Sequence, residues 1–227
     1  MTNKILTLIL ALTFIQCTAP KKPEQAKSGS PELVILVYDI SASNDSFAVL
    51  KQDQVAKLIQ FYSKKHDVMF YGLKIKANST GQEVIREEIQ AFPDTLELKG
   101  TEVQRKNKQK KNSVILETYY SNQEAQIAVI CDRLLYPKTE SFSDIHGALI
   151  LASDISLNEK YKDFRKNLIL ISDCINDMPP RNGPDPMKPV RFDDMKITVV
   201  RPSEKVSLTA LFGRAPDQVN VSIEDLF

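Results

Sequence analysis

Leu33-Val34-Ile35-Leu36-Val37-Tyr38-Asp39-Ile40-Ser41-Ala42-Ser43 is the stretch from which the fold can be read. Its first six residues form an unbroken apolar run with several β-branched side chains, the pattern of a strand buried on both faces in a parallel sheet. The run stops abruptly at Asp39. A second run, Asn167 to Ser172 with Leu168-Ile169-Leu170-Ile171 at its centre, also stops at an acid, Asp173. Open α/β sheets bind ligands at the carboxyl ends of their strands, so neighbouring strands would bring Asp39 and Asp173 to one rim. Asp39, Ser41 and Ser43 alternate along the chain and can turn their oxygens to one side. Oxygen donors with one or two carboxylates suit a hard divalent cation. The competing local reading makes Asp39 a helix cap, with Ser41 and Ser43 as ordinary turn residues.

Outward from this stretch, Phe47, Leu50, Val55, Leu58 and Phe61/Tyr62 recur at helical spacing, with Ser43, Asn44 or Asp45 available as the cap. Val68 to Ile75 reads as a second strand, and the order strand, helix, strand predicts a right-handed crossover if the two are parallel. Val84 to Ile89 is a candidate strand, followed by a turn at Phe92-Pro93-Asp94-Thr95. Lys99 to Lys111 is basic and lacks apolar periodicity, so it reads as a solvated, mobile insertion. Helices are expected from about Ser113 to Leu135, stopped by Pro137, and from Ile145 to about Leu157. The five prolines between Met178 and Pro189 demand a loop. Met195 to Val200 reads as a strand and Ser203 to Phe212 as a short helix, while Val219 to Phe227 carries no clear signal. The expected class is α/β: a three-layer, open, mostly parallel sheet with helices on both faces.

The chain has 227 residues, enough for one ordinary domain and a leader. Its 30 basic and 29 acidic residues nearly cancel, which gives no general reason to expect nucleic acid binding. At the N-terminus, Lys4 precedes the apolar run Ile5–Ile15, which has signal-peptide length and is too short for a comfortable membrane span. The run ends at Cys17, and a polar, Pro- and Lys-rich stretch follows. This segment resembles a bacterial lipoprotein leader, although Gln16 stands where a small residue is usual. The resemblance implies lipidation at Cys17, a leader over 1–17, a linker over 18–31 and one domain over 32–227 with a basic insertion at about 97–112. It also implies anchoring in the cell envelope, facing the periplasm. Cys131 and Cys174 belong to no C-x-x-C pair. Cys131 reads as a buried core thiol, and a disulfide between the two is left open.

Three segments together resemble the von Willebrand factor A (vWA) family. Asp39-Ile40-Ser41-Ala42-Ser43 matches its D-x-S-x-S metal motif. Ser143-Asp144-Ile145-His146-Gly147-Ala148-Leu149 is similar to its second loop, with Ser143 in the hydroxyl position. Ile169-Leu170-Ile171-Ser172-Asp173-Cys174 is similar to its third, except that Cys174 replaces a Gly. The resemblance implies a mostly parallel sheet with one antiparallel edge strand. It implies a divalent metal, usually Mg²⁺ with Mn²⁺ or Ca²⁺ as substitutes, held by Ser41, Ser43 and Ser143, with Asp39 and Asp173 acting mainly through water. An acidic residue from a protein partner would complete the coordination.

The expected function is therefore a membrane-anchored, non-catalytic binding module, with a metal-dependent hydrolase and a metal-free scaffold as alternatives. A haloacid dehalogenase-like phosphatase would also put an Asp after its first strand. Its chemistry needs a second carboxylate two residues on, and that position is Ser41. Only two histidines exist; His66 reads as an exposed turn residue and His146 as a partly exposed residue of the first turn of a helix. The basic residues Lys99, Arg105, Lys106, Lys108, Lys110 and Lys111 are candidates for contact with phospholipid or an acidic partner.

Overall fold

The computed structural model describes residues 29–40, 50–136, 141–177, 188–219 and 221. Six strands among them form one sheet in the order β3-β2-β1-β4-β5-β6. They are β1 (Glu32–Asp39), β2 (Val68–Ile75), β3 (Ile85–Ile89), β4 (Arg165–Ile171), β5 (Met195–Val200) and β6 (Gln218–Val219). All pairings are parallel except β2 with β3, which gives the expected antiparallel edge. Four α-helices, α1 (Gln52–Ser63), α2 (Glu102–Leu135), α3 (Ile145–Ser156) and α4 (Leu208–Phe212), and one 3-10 turn at Glu159–Tyr161 complete the described elements.

The continuous apolar reading of β1 is explained by its place at the centre of the sheet, where every one of its residues is buried. Leu33, Ile35 and Val37 face a core shared with Ala148, Leu149 and Ala152 of α3 and Leu211 and Phe212 of α4. Val34, Leu36 and Tyr38 face the other core, with Val55, Leu58 and Ile59 of α1 and Ile127, Ile130 and Leu134 of α2. The fold is thus three-layer α/β/α and vWA-like. Each fully buried Leu or Ile in these cores contributes roughly 1.5–3 kcal/mol of transfer free energy. Cys131 lies in the α1/α2 core and Cys174 in the α3/α4 core, so the sheet separates them; both are free thiols.

Three helices differ from their expected limits. The α1 helix begins at Gln52, after Leu50, and its N-cap is Lys51, whose backbone N–H donates to Gln54 Oε1 at 2.9 Å. The expected caps Ser43, Asn44 and Asp45 lie outside the described residues. The larger correction concerns the basic insertion. Instead of an irregular loop, residues 102–112 form the first three turns of the 34-residue helix α2. Gly100 turns the chain at φ +118°, a conformation suited to glycine, and Thr101 caps the helix by accepting from Gln104 N. Gln, Lys and Arg then propagate it by propensity without an apolar stripe. The α4 helix is shorter than expected; Ser207 caps it, and Gly213 at φ +68° ends it. The short β6 edge, Gln218–Val219, takes in only the first residue of the segment left unassigned, most of which lies outside the described residues.

Candidate metal site

After β1 the chain builds β2 and β3 on one side, and it later returns to place β4 on the other. The crevice between β1 and β4 at their carboxyl ends is the switch point where such sheets bind ligands. Asp39 closes β1 opposite Ile75 of β2, and Tyr38 lies opposite Ile171 of β4. Asp39 and the Ser172-Asp173 pair therefore share this rim, as the two acid-terminated strands suggested.

The carboxylate of Asp39 is only 1% exposed. Its Oδ2 accepts a hydrogen bond from Ser172 Oγ at 2.7 Å, and the same Ser172 oxygen accepts from Cys174 N at 2.9 Å. Ser172 thus joins the end of β1 to the turn after β4. A donor aimed at a buried carboxylate is one of the stronger hydrogen bonds a protein makes. Ser172 was visible in the third motif only as a hydroxyl before an Asp, and its role depends on β1 and β4 being neighbours.

Asp173 is half-buried, and Ile175 N donates to its Oδ1 at 2.9 Å. Burial pushes its carboxyl above the ordinary range and the nearby charge of Asp39 adds to this, while the hydrogen bond from Ile175 opposes them. Two carboxylates that repel each other on one rim are what a divalent cation would relieve.

The third segment is locked from three directions. Ser143 exchanges backbone hydrogen bonds with Asp177 at 2.9 and 3.1 Å, while Asp144 N donates to Lys76 O just past β2. Asp144 caps α3, its Oδ1 accepting from Gly147 N at 2.8 Å and its Oδ2 from Ser79 N at 3.1 Å. A Cβ at Gly147 would sit 2.1 Å from Asp144 Oδ2, so the Gly of this motif makes room for the cap. Asn176 Oδ1 accepts from Ile145 N at 2.9 Å. Within this frame the Ser143 hydroxyl is buried and has no hydrogen-bond partner among the described residues. An unpaired buried hydroxyl costs roughly 1–3 kcal/mol, and a cation would satisfy it. Asp144, Asn176 and Asp177 carried no site signal in the sequence beyond their place in or beside the motifs.

Cys174 adopts φ +62°, the left-handed conformation that the glycine of the family pattern would take without strain. Burial first, then Asp173 and Asp39, pushes its thiol up to about 12. Ser41 and Ser43, the other two hydroxyls of the expected set, lie outside the described residues, as does Cys17. His146 is half-buried, and its Nε2 pairs with Lys188 O at 2.7 Å. His66 is also half-buried rather than exposed.

The donor chemistry fits a hard divalent cation: two carboxylates on one rim and a preset hydroxyl in need of a partner. Among the described residues, no group of three or more His, Cys, Asp or Glu side chains could hold an ion by itself. A phosphatase nucleophile, by contrast, must reach substrate, and Asp39 is buried and bonded to Ser172.

No family model and no curated protein matches this chain. Among solved structures it is similar to the pilus adhesin SpaC from Lactobacillus rhamnosus GG in its open conformation, at 12% identity and a TM-score of 0.47 over 88% of this chain and 29% of SpaC. It is similar to the SpRpn10 VWA domain at 11% identity and a TM-score of 0.40, covering 86% of this chain and 93% of that one. Manganese-loaded TRAP protein of Plasmodium vivax gives 13% identity and a TM-score of 0.39, with 85% and 66% covered. The chain spans less than a third of SpaC.

Proposed function

We propose that this chain is a membrane-anchored binding module that captures a protein partner through a divalent cation, Mg²⁺ in the first instance. The observation that carries this reading is the buried, unpartnered Ser143 hydroxyl, held on the rim that bears Asp39 and Asp173. Ser143 would ligate the ion directly, together with Ser41 and Ser43, while Asp39 and Asp173 balance its charge. When bound, the cation would supply an electrophilic position for a carboxylate of the partner. The burial of Asp39 favours binding over hydrolysis.

Anchoring is assigned to lipid on Cys17, at the cell envelope and facing the periplasm. Among the described residues no helix is long and apolar enough to cross a membrane. The deciding experiment is a Mg²⁺ titration of thermal unfolding, paired with membrane pull-down in the presence and absence of chelator. Wild type should gain stability with Mg²⁺ and retain its partner; Asp39→Ala should do neither. An equal melting shift in both proteins would refute the site, and a wild type with no shift would leave a metal-free scaffold.

A further inference from the structure

The helix α2 runs against the strands, and its first half leaves the domain. Its Leu134 packs by Gly72 near the middle of β2, and Tyr136 O accepts from Lys74 Nζ towards the carboxyl rim. Towards its start, Gln126 reaches Glu88 O of β3, and Gln123 reaches Ser63 Oγ at the end of α1, at the opposite rim. Gln123 is the first buried residue of the helix, so residues 102–122 extend about 30 Å at 1.5 Å per residue. The outgoing chain runs back along this projection. Leu96 N donates to Asn112 Oδ1 at 2.7 Å and Leu96 O accepts from Asn112 Nδ2 at 2.9 Å, which straps residues 92–100 to the helix. Phe92 packs edge-on against Tyr119 and Tyr120 at the root. The result is a two-legged arm with its tip at Gly100 and Thr101.

The arm carries six basic residues, Lys99, Arg105, Lys106, Lys108, Lys110 and Lys111, against four acids, Asp94 and Glu97 on the outgoing leg and Glu102 and Glu117 on the helix. Five of the bases gather between 105 and 111, with no acid among them. Lys99 pairs with Glu97 and Lys106 with Glu102. Arg105, Lys110 and Lys111 have no acidic partner among the described residues. Leu98 is 52% and Val103 69% exposed, one on each side of the tip. Such a tip, apolar at the end and cationic along its length, matches an anionic bilayer surface, where lysine stems lie along the interface and their charges meet phosphate.

One residue ties this arm to the point where the chain enters the domain. The backbone oxygen of Asp67 accepts from Glu32 N at the start of β1, and its Oδ1 accepts from Ala91 N at the root of the arm. The start of β1 at Glu32 and the root of the arm at Ala91 therefore lie side by side, at the rim opposite Asp39, Ser143 and Asp173. Residues 18–28 can span at most about 40 Å, so a lipid on Cys17 and the arm tip can lie in one bilayer.

We propose that the arm of residues 92–118 docks on anionic phospholipid and orients the anchored domain with its metal rim away from the membrane. The orientation rests on the anchoring assigned above; the lipid contact has its own readout. The lipidated full chain carrying Val103→Cys is labelled with an environment-sensitive dye, Cys131 and Cys174 being buried. It is mixed with phosphatidylcholine vesicles, or with vesicles of equal parts phosphatidylcholine and phosphatidylglycerol. Co-sedimentation with phosphatidylcholine alone reads the anchor. A blue shift of the dye only with phosphatidylglycerol, reversed by high salt and lost in the triple variant Arg105→Gln, Lys110→Gln, Lys111→Gln, is the expected result for the arm. The triple variant should still co-sediment. A dye that stays unshifted with phosphatidylglycerol, or that shifts equally with both lipids, overturns the proposal. A shift produced by polyglutamate but not by phosphatidylglycerol also overturns it and assigns the arm to an acidic protein.

Discussion

Ser172 Oγ stands 2.7 Å from Asp39 Oδ2 and donates across the junction of β1 and β4, the two central strands of the sheet. The same oxygen accepts from the backbone of Cys174, so one hydroxyl fixes both the carboxylate and the turn that presents Asp173. Removing it in Ser172→Ala leaves a buried carboxylate short of a donor. A hydrogen bond to a charged group contributes about 1.5–3 kcal/mol, and a loss of that size is expected in urea unfolding. A loss below about 0.5 kcal/mol would mean that the bond does not hold the rim.

Ser143→Ala gives the opposite sign in the absence of metal. The wild-type hydroxyl is buried without a partner, so its removal should leave the metal-free protein as stable or more stable by up to about 1 kcal/mol. With Mg²⁺ at a hundredfold excess over its dissociation constant, wild type should gain about 2.7 kcal/mol, and the variant clearly less. Differential scanning fluorimetry at several Mg²⁺ concentrations separates the two effects. A variant that loses stability without metal would show that the hydroxyl already has a partner.

The pH dependence follows from Asp173. Its folded carboxyl lies above the unfolded value of 3.8, because of burial first and then Asp39. The native state therefore holds this proton longer than the unfolded state does. The associated stability is complete below pH 3.8 and is lost as pH rises through the raised folded value. Without metal, Asp173→Asn should match wild type at the acid end and become the more stable protein above that window. Saturating Mg²⁺ should reverse the order at neutral pH. Parallel unfolding curves for the two proteins across pH, without metal, would contradict the shift.

Much of the frame was legible because burial on both faces leaves a plain mark: β2 and β5 have the limits that their apolar runs set. The β3 strand was also marked, over Val84 to Ile89, one residue more than it has; its antiparallel direction was only implied by the family resemblance. The first half of α2 left no such mark. It buries nothing before Gln123, and its helicity comes from a cap at Thr101 and a clasp between Asn112 and Leu96, sixteen positions apart. At the site, residue types pointed to Asp39, Ser143 and Asp173. The contacts that set them, from Lys76, Asp177 and Ser172, join distant parts of the chain and exist only once the strand order is known.

Cys174 tests whether the departure from the family pattern alters the site or only its turn. At φ +62° a side chain costs roughly 1–2 kcal/mol, which Cys174→Gly would recover. Against this, glycine adds about 0.5–1 kcal/mol of chain entropy and gives up a buried thiol in the α3/α4 core. The terms nearly cancel, so Cys174→Gly should stay within about 1 kcal/mol of wild type. Cys174→Val, β-branched at positive φ, should cost about 2 kcal/mol or more in the same urea unfolding experiment. The Cys174 thiol contacts Ser172 O at 3.7 Å on the core side, and glycine keeps the N–H that Ser172 accepts. The Mg²⁺-induced melting shift should therefore be the same in Cys174→Gly as in wild type. A lost shift would show that the thiol takes part in the site.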